Sequence, residues 1–205
     1  MTKVLEGEIV NEPRLPEKAA RPIDVLAIIE QRNKMLERIV DYAVAATHAG
    51  QWQDLGGKPW LTGPGAEAVA RRCAVRITET KITKEWSEDD KGRFYIYTCE
   101  AKFSLPGEYD EITAYGHCSS RDQFLGTETG TPRPLSEIDE GNIRQASYTN
   151  CTVNGTTRLL GIRNMTWERL ESLGLKQSAI GKVDYKHGAK GGGASTASDL
   201  VFPFG

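Results

Sequence analysis

Apolar residues recur along this chain at two different periods, and the change of period divides it. From Ile23 to about Thr47, Ile28, Met35, Ile39 and Val44 return at helical spacing among Glu30, Arg32, Lys34 and Glu37. A long amphipathic helix is expected there, one that packs on a sheet or on a neighbouring subunit. Between Val75 and Cys118 the period falls to two. Val75 and Ile77 alternate first, then Phe94 and Ile96 against Tyr95 and Tyr97, then Ile112 and Ala114 beside Tyr109 and Tyr115. The alternation predicts three antiparallel strands over about 75–86, 92–104 and 109–118. Ser87 to Gly92 and Leu105 to Glu108 supply the turn residues of a meander.

Helical spacing returns between Pro134 and Glu171. Ser136 or Asp139 can cap the free amides of a helix start, and Glu140 suits the positive end of its dipole. Ile143, Ala146, Val153 and Leu160 then fall on one side, which is expected to face the core. Arg144, Tyr148, Cys151, Gly155 and Arg158 run along the other. That second line reads in two ways: a solvated face whose arginines pair with nearby acids, or a face whose guanidinium forks meet phosphate and whose tyrosine stacks. Gly155 costs about 1 kcal/mol of helix propensity relative to alanine, so it implies close backbone packing or a kink that splits the helix. After Gly161, Thr166 is placed to cap a short helix ending at Gly174.

The remaining segments are punctuation and tails. Gln51 to Leu61 is rich in turn formers and reads as a loop. Its Trp60 can stack on a base while Lys58 meets a phosphate, or the tryptophans Trp52 and Trp60 can close the core. A short helix follows Gly63-Pro64-Gly65 to about Ala74, with Arg71 and Arg72 suited either to its dipole or to DNA. Ser119 to Asp122 forms a polar cluster after the third strand, and loops on a rigid sheet commonly hold function. Residues 1–21, with Pro13 and Pro16 among charges, read as a flexible arm, and 22–180 as one core domain. From 181 to 205 the Gly-rich composition predicts a linker ending in an apolar tip, Phe202-Pro203-Phe204, suited to docking a partner. The fold class is therefore α+β: an N-terminal helix and a three-stranded meander packed on a long central helix.

Composition narrows the chemistry. A chain of 205 residues can bury one sizeable core. Its net charge of −2 supplies no global attraction to nucleic acid, so any anion site must be a local patch. Cys73, Cys99, Cys118 and Cys151 show no CxxC pairing, which predicts free thiols and a soluble cytoplasmic protein. Without ligands in close pairs no metal is expected, and no cofactor motif is present. Asp110, Glu111, Asp122, Asp139 and Glu140 form no acidic pair joined to a lysine in a nuclease order, and His48, His117 and His187 supply no triad. The expectation is a protein that is not an enzyme.

Several stretches together resemble a known group. Lys58-Pro59-Trp60-Leu61, Gly65-Ala66-Glu67, Gly116 through Arg121-Asp122, Ile138 to Ile143, and Asn154 to Asn164 are similar to phage and prophage recombination proteins of the single-strand annealing type. The order of helix, meander and long helix resembles the annealing core of the Rad-fifty-two, Red-beta and Erf-like superfamily, over roughly residues 22–175. The resemblance implies homo-oligomeric rings or filaments that hold single-stranded DNA in a groove between hairpin and helix. Carried over by element, it implies DNA contacts from Lys91, Arg93, Arg121, Arg144, Arg158 and Arg163, to which Lys58, Trp60 and Tyr148 add stacking and charge. It also implies an exonuclease or a single-strand binding protein of phage or host as a partner. The C-terminal tip resembles the Pro-Phe tail of bacterial single-strand binding proteins, although Gly205 follows Phe204 and Asp199 is the only acid nearby. An adaptor that recruits partners through this tail is the alternative reading, and a metal-dependent nuclease the less favoured one.

Overall fold

The computed structural model describes residues 24–107, 111–128 and 130–183. It begins with a long helix, α1 (Val25–Ala45), whose first turn is capped by Asp24 accepting from the Ala27 amide at 3.1 Å. Strands β1 (Trp52–Leu55) and β2 (Lys58–Leu61) follow, then α2 (Gly63–Arg72), capped by Thr62. The meander is β3 (Arg76–Asp89), β4 (Gly92–Ser104) and β5 (Glu111–Ser119), in the order β3-β4-β5 and antiparallel throughout. A two-residue ribbon, β6 (Thr127–Glu128) with β7 (Thr131–Pro132), leads to α3 (Glu140–Leu159). Then come α4 (Trp167–Ser172) and β8 (Gly181–Val183).

The α+β architecture matches the periodicity: a three-stranded antiparallel sheet lies on one central helix. Asp139 caps α3 by accepting from the amides of Gly141 and Asn142. Thr166 caps α4 by accepting from Arg169. Among the described residues no helix is long and apolar enough to cross a membrane.

Two expectations are corrected. Residues 52–61, read as part of a loop, form a hairpin. Gly56 and Gly57 both take positive φ (59° and 84°), the two-residue turn that antiparallel strands favour, and Asp54 accepts from the Gly57 amide at 2.8 Å. The hairpin is completed by β8, which pairs parallel to β1 in the order β2-β1-β8, so residues 181–183 belong to a sheet and not to the linker. The second correction concerns α3. Ile143, Ala146, Val153 and Leu160 are buried as expected, but Cys151 and Gly155 on the other line are buried too. The helix is enclosed on both sides, so the line from Arg144 to Arg158 is not a continuous outward face.

Burial on two sides follows from small side chains. One core joins Val153 and Leu160 of α3 to Ala43, Val44, Trp52, Leu61 and Val69; another joins Cys151 to Cys99, Ala101, Phe103 and Ala114 of the sheet. Against the sheet there is no room to spare. A Cβ at Gly116 of β5 would lie 2.0 Å from the Cys151 amide nitrogen, and one at Gly155 would lie 2.3 Å from the Phe103 ring. The helix therefore stays continuous through Asn154-Gly155, where close packing accounts for the glycine. Asn150 and Asn154 fasten the contact by donating to the carbonyls of His117 (3.0 Å) and Tyr115 (2.9 Å) along β5, a strand at the sheet's edge.

Gly155→Ala is expected to destabilise the fold by about 1–3 kcal/mol despite its better helix propensity, because the added methyl overpacks the Phe103 contact. Gly116→Ala should cost more, since the obstructing atoms are backbone. Urea midpoints measure both, and Phe103→Leu should recover part of the Gly155→Ala loss and none of the Gly116→Ala loss.

Candidate nucleic-acid interface

The long hairpin of β3 and β4 runs past the start of α3, and its register decides what shares a face. Lys84 lies opposite Tyr97, Trp86 opposite Tyr95, and Glu88 opposite Arg93. Directly opposed residues project to the same side, which here is the side that α3 covers further along. The result is a cluster of rings and cations. Lys84 Nζ sits 4.8, 4.4 and 5.7 Å from the ring centres of Trp86, Tyr95 and Tyr97, and the Arg93 guanidinium lies 4.1 Å over Trp86. Trp86 and Tyr95 meet edge to face at 5.4 Å. Tyr95 is buried while Trp86 is 47% exposed, so one ring anchors the cluster and the other reaches the surface.

Glu140 at the first turn of α3 ties this face to the helix. Its carboxylate accepts from Lys84 Nζ at 2.7 Å and from the Tyr97 hydroxyl. Lys84 and then Tyr97 hold the Glu140 carboxyl below the usual 4.5. The hydrogen bond to Glu140 pushes the Tyr97 phenol up to about 12, and Arg144, close enough to act in the opposite sense, pulls it back in part.

The residues expected to contact DNA divide among several places. Arg93 lies on the ring-and-cation face, Arg144 is exposed beside Tyr97, and Lys91 is exposed in the hairpin turn. Arg121 lies at the same end of the sheet but is engaged: it forks onto Asp89 at 3.0 and 2.8 Å and donates to the Gly92 carbonyl at 2.9 Å, bracing the turn. Tyr148 packs half-buried against the Cys99–Phe103 core, and Arg158 is exposed in the last turn of α3. Lys58, Trp60 and Arg163 come together elsewhere, in a cleft of about 460 Å³ that also includes Trp167. Phe202, Pro203 and Phe204 lie outside the described residues.

Lys84, Trp86 and Tyr97 were not expected at this face from the sequence, nor Trp167 in the cleft, and Glu140 read only as a helix-start acid and an unpaired carboxylate. The signal for the first three is present as an every-second-residue pattern, Lys84-Glu85-Trp86 facing Arg93-Phe94-Tyr95-Ile96-Tyr97. It becomes legible only once the turn at Asp90-Lys91 fixes the register, since a one-residue slip would send every side chain to the other face. The four cysteines are free thiols.

No family model, curated protein or solved structure matches the chain. An exposed indole beside the Arg93 guanidinium offers an aromatic surface for a base next to donors for a phosphate, while the Lys84 ammonium is held by Glu140.

The Glu140 contacts carry a pH dependence of known sign. A carboxylate with a depressed folded value adds stability above its unfolded value and loses it as the pH falls through the folded one. The melting-temperature difference between wild type and Glu140→Gln is therefore expected to be present at pH 7 and to shrink below about 4.5. In the same variant, ultraviolet titration should show one tyrosine moving from about 12 towards its ordinary 10.

Proposed function

We propose that this protein binds single-stranded DNA and anneals complementary strands, holding them by stacking and phosphate contacts and without bond-making chemistry. The observation that carries the reading is the hairpin face on which Arg93 and Lys84 flank the exposed indole of Trp86. Stacking on such a ring tolerates any base, and Arg93 with the exposed Lys91 meets the backbone. Base edges stay free to test a complement. Because the net charge is slightly acidic, attraction on this reading is local and comes from the exposed cations Lys91, Arg93 and Arg144, which stand beside Glu88 and Glu140.

Annealing samples pairing along a length of strand, so the reading includes homo-oligomers. Helix α1 supports it: Val25, Leu26, Ile28, Ile29, Met35 and Leu36 are all exposed, whereas only Ala43 and Val44 near its end are buried. An apolar stripe of this kind suits the same helix or the core of a second copy.

Fluorescence anisotropy with a labelled oligonucleotide tests the binding. For the hairpin face alone, with about three phosphate contacts at a slope of about 0.7 each, raising salt from about 50 to 200 mM is expected to weaken binding roughly 20-fold. Trp86→Ala should cost about 10-fold, one stacked base, and Trp86→Ala/Arg93→Ala should abolish annealing in a complementary-strand assay. A folded wild-type protein that binds no oligonucleotide would refute the reading. For the assembly, Ile28→Glu/Met35→Glu is expected to lower the molar mass seen by light scattering while leaving the circular dichroism spectrum unchanged.

A further inference from the structure

We propose that the cleft between the β1–β2 turn and the segment entering α4 is a second binding site, which holds a single unstacked nucleotide of a single-stranded nucleic acid. The inference rests on the nucleic-acid reading above for the polymer, while the nucleotide chemistry of the cleft stands on its own side chains. Its volume of about 460 Å³ falls in the range of small-molecule sites. Two half-buried indoles, Trp60 on β2 and Trp167 at the start of α4, line it. Trp167 is held in place, its Nε1–H donating to the Gly57 carbonyl at 2.9 Å, so one aromatic wall is set before any ligand arrives.

The two cations at the cleft are uncommitted, while its one carboxylate, Glu168, is held by backbone amide and Thr166 hydroxyl hydrogen bonds. Lys84, Lys102, Arg121 and Arg169 all pair with carboxylates, whereas Lys58 and Arg163 make no ion pair among the described residues. An indole beside a free ammonium and a free guanidinium matches a base and its phosphate. Surface lysines alone would imply only a loose anion patch, but here the cations border a cleft with a fixed aromatic wall.

The cleft is separate from the hairpin face. It contains no residue of β3, β4 or β5, and the smaller hollow beside it reaches Asn154 and Thr157 near the end of α3, whereas the hairpin face meets Glu140 at its beginning. The 20 residues of α3 span about 30 Å, so two sites at its ends would grip a strand at separated points. That arrangement leaves the nucleotides between them unconstrained and able to pair.

The test uses the full-length protein carrying Trp86→Phe, which silences the hairpin indole. Thymidine 5′-monophosphate is expected to quench the remaining tryptophan fluorescence saturably at millimolar concentration. Lys58→Ala/Arg163→Ala in that background should weaken the effect at least fivefold, and Trp167→Phe, which keeps an aromatic wall, should weaken it less. With a labelled oligothymidine, the Lys58→Ala/Arg163→Ala pair should lower the salt slope of otherwise wild-type protein by about 1.4, two contacts at about 0.7 each. Absence of quenching, or quenching and a salt slope indifferent to both cations, would overturn the proposal. If wild type fails to bind oligonucleotide yet the mononucleotide effect is lost with Lys58 and Arg163, the annealing reading fails and the cleft remains a nucleotide site.

Discussion

The distance between helix α3 and the meander is set by two glycines, Gly116 of β5 facing the helix backbone and Gly155 of α3 facing Phe103 of β4, and most of the structure depends on that distance. Gly116 brings the strand against the backbone of α3 near Cys151, and Gly155 lets the Phe103 ring reach the helix. Neither element is strong alone. The helix is rich in Ser, Thr and Asn, which are indifferent helix formers, and a meander face is stable only when covered. Close packing makes each the support of the other. The asparagine amides of Asn150 and Asn154 then fix the register along β5, so that the contact has one geometry and not several.

A helix buried on two sides divides the interior into cores, and this division positions both candidate sites. On one flank α3 meets α1, α2 and the small mixed sheet, whose turn forms a wall of the cleft. On the other it meets the meander, which outruns the helix and leaves the far end of its hairpin uncovered. Trp86 and Arg93 are exposed because α3 starts at Glu140, at the level of Lys84 and Tyr97. The place where a helix begins thus decides which sheet residues remain available.

Residues with a strict period were legible from sequence. The meander, the start of α3 at Asp139 and the cap at Thr166 all rest on local signals, alternation or a side chain that satisfies free amides. What escaped depended on distant partners. The hairpin at 52–61 looked like a loop because its four-residue strands are too short to show a period, and its parallel neighbour β8 arrives over 120 residues later. The line from Arg144 to Arg158 looked like an outer face because sequence shows one stripe at a time, and a helix with two buried sides has no simple stripe. Arg121 looked free because Asp89 is brought to it only by the fold. The cleft is the same case: Lys58 and Trp60 were visible, but the Trp167 that completes it lies in a different segment.

The asparagine contacts on β5 have a bearing on solubility. A sheet in the order β3-β4-β5 has two open edges, and an open edge is a template for any strand that drifts past. On β5 the side-chain amides of α3 already occupy the Tyr115 and His117 carbonyls. On β3 the sequence Arg-Ile-Thr-Glu-Thr-Lys-Ile-Thr-Lys-Glu-Trp-Ser-Glu-Asp is crowded with charges, and an irregularity between Thr78 and Lys81, with Glu79 at a φ of 51°, interrupts its straight run. Both margins of the sheet are thereby poor seeds for amyloid-like stacking, so copies of this chain can be crowded side by side without their sheets fusing.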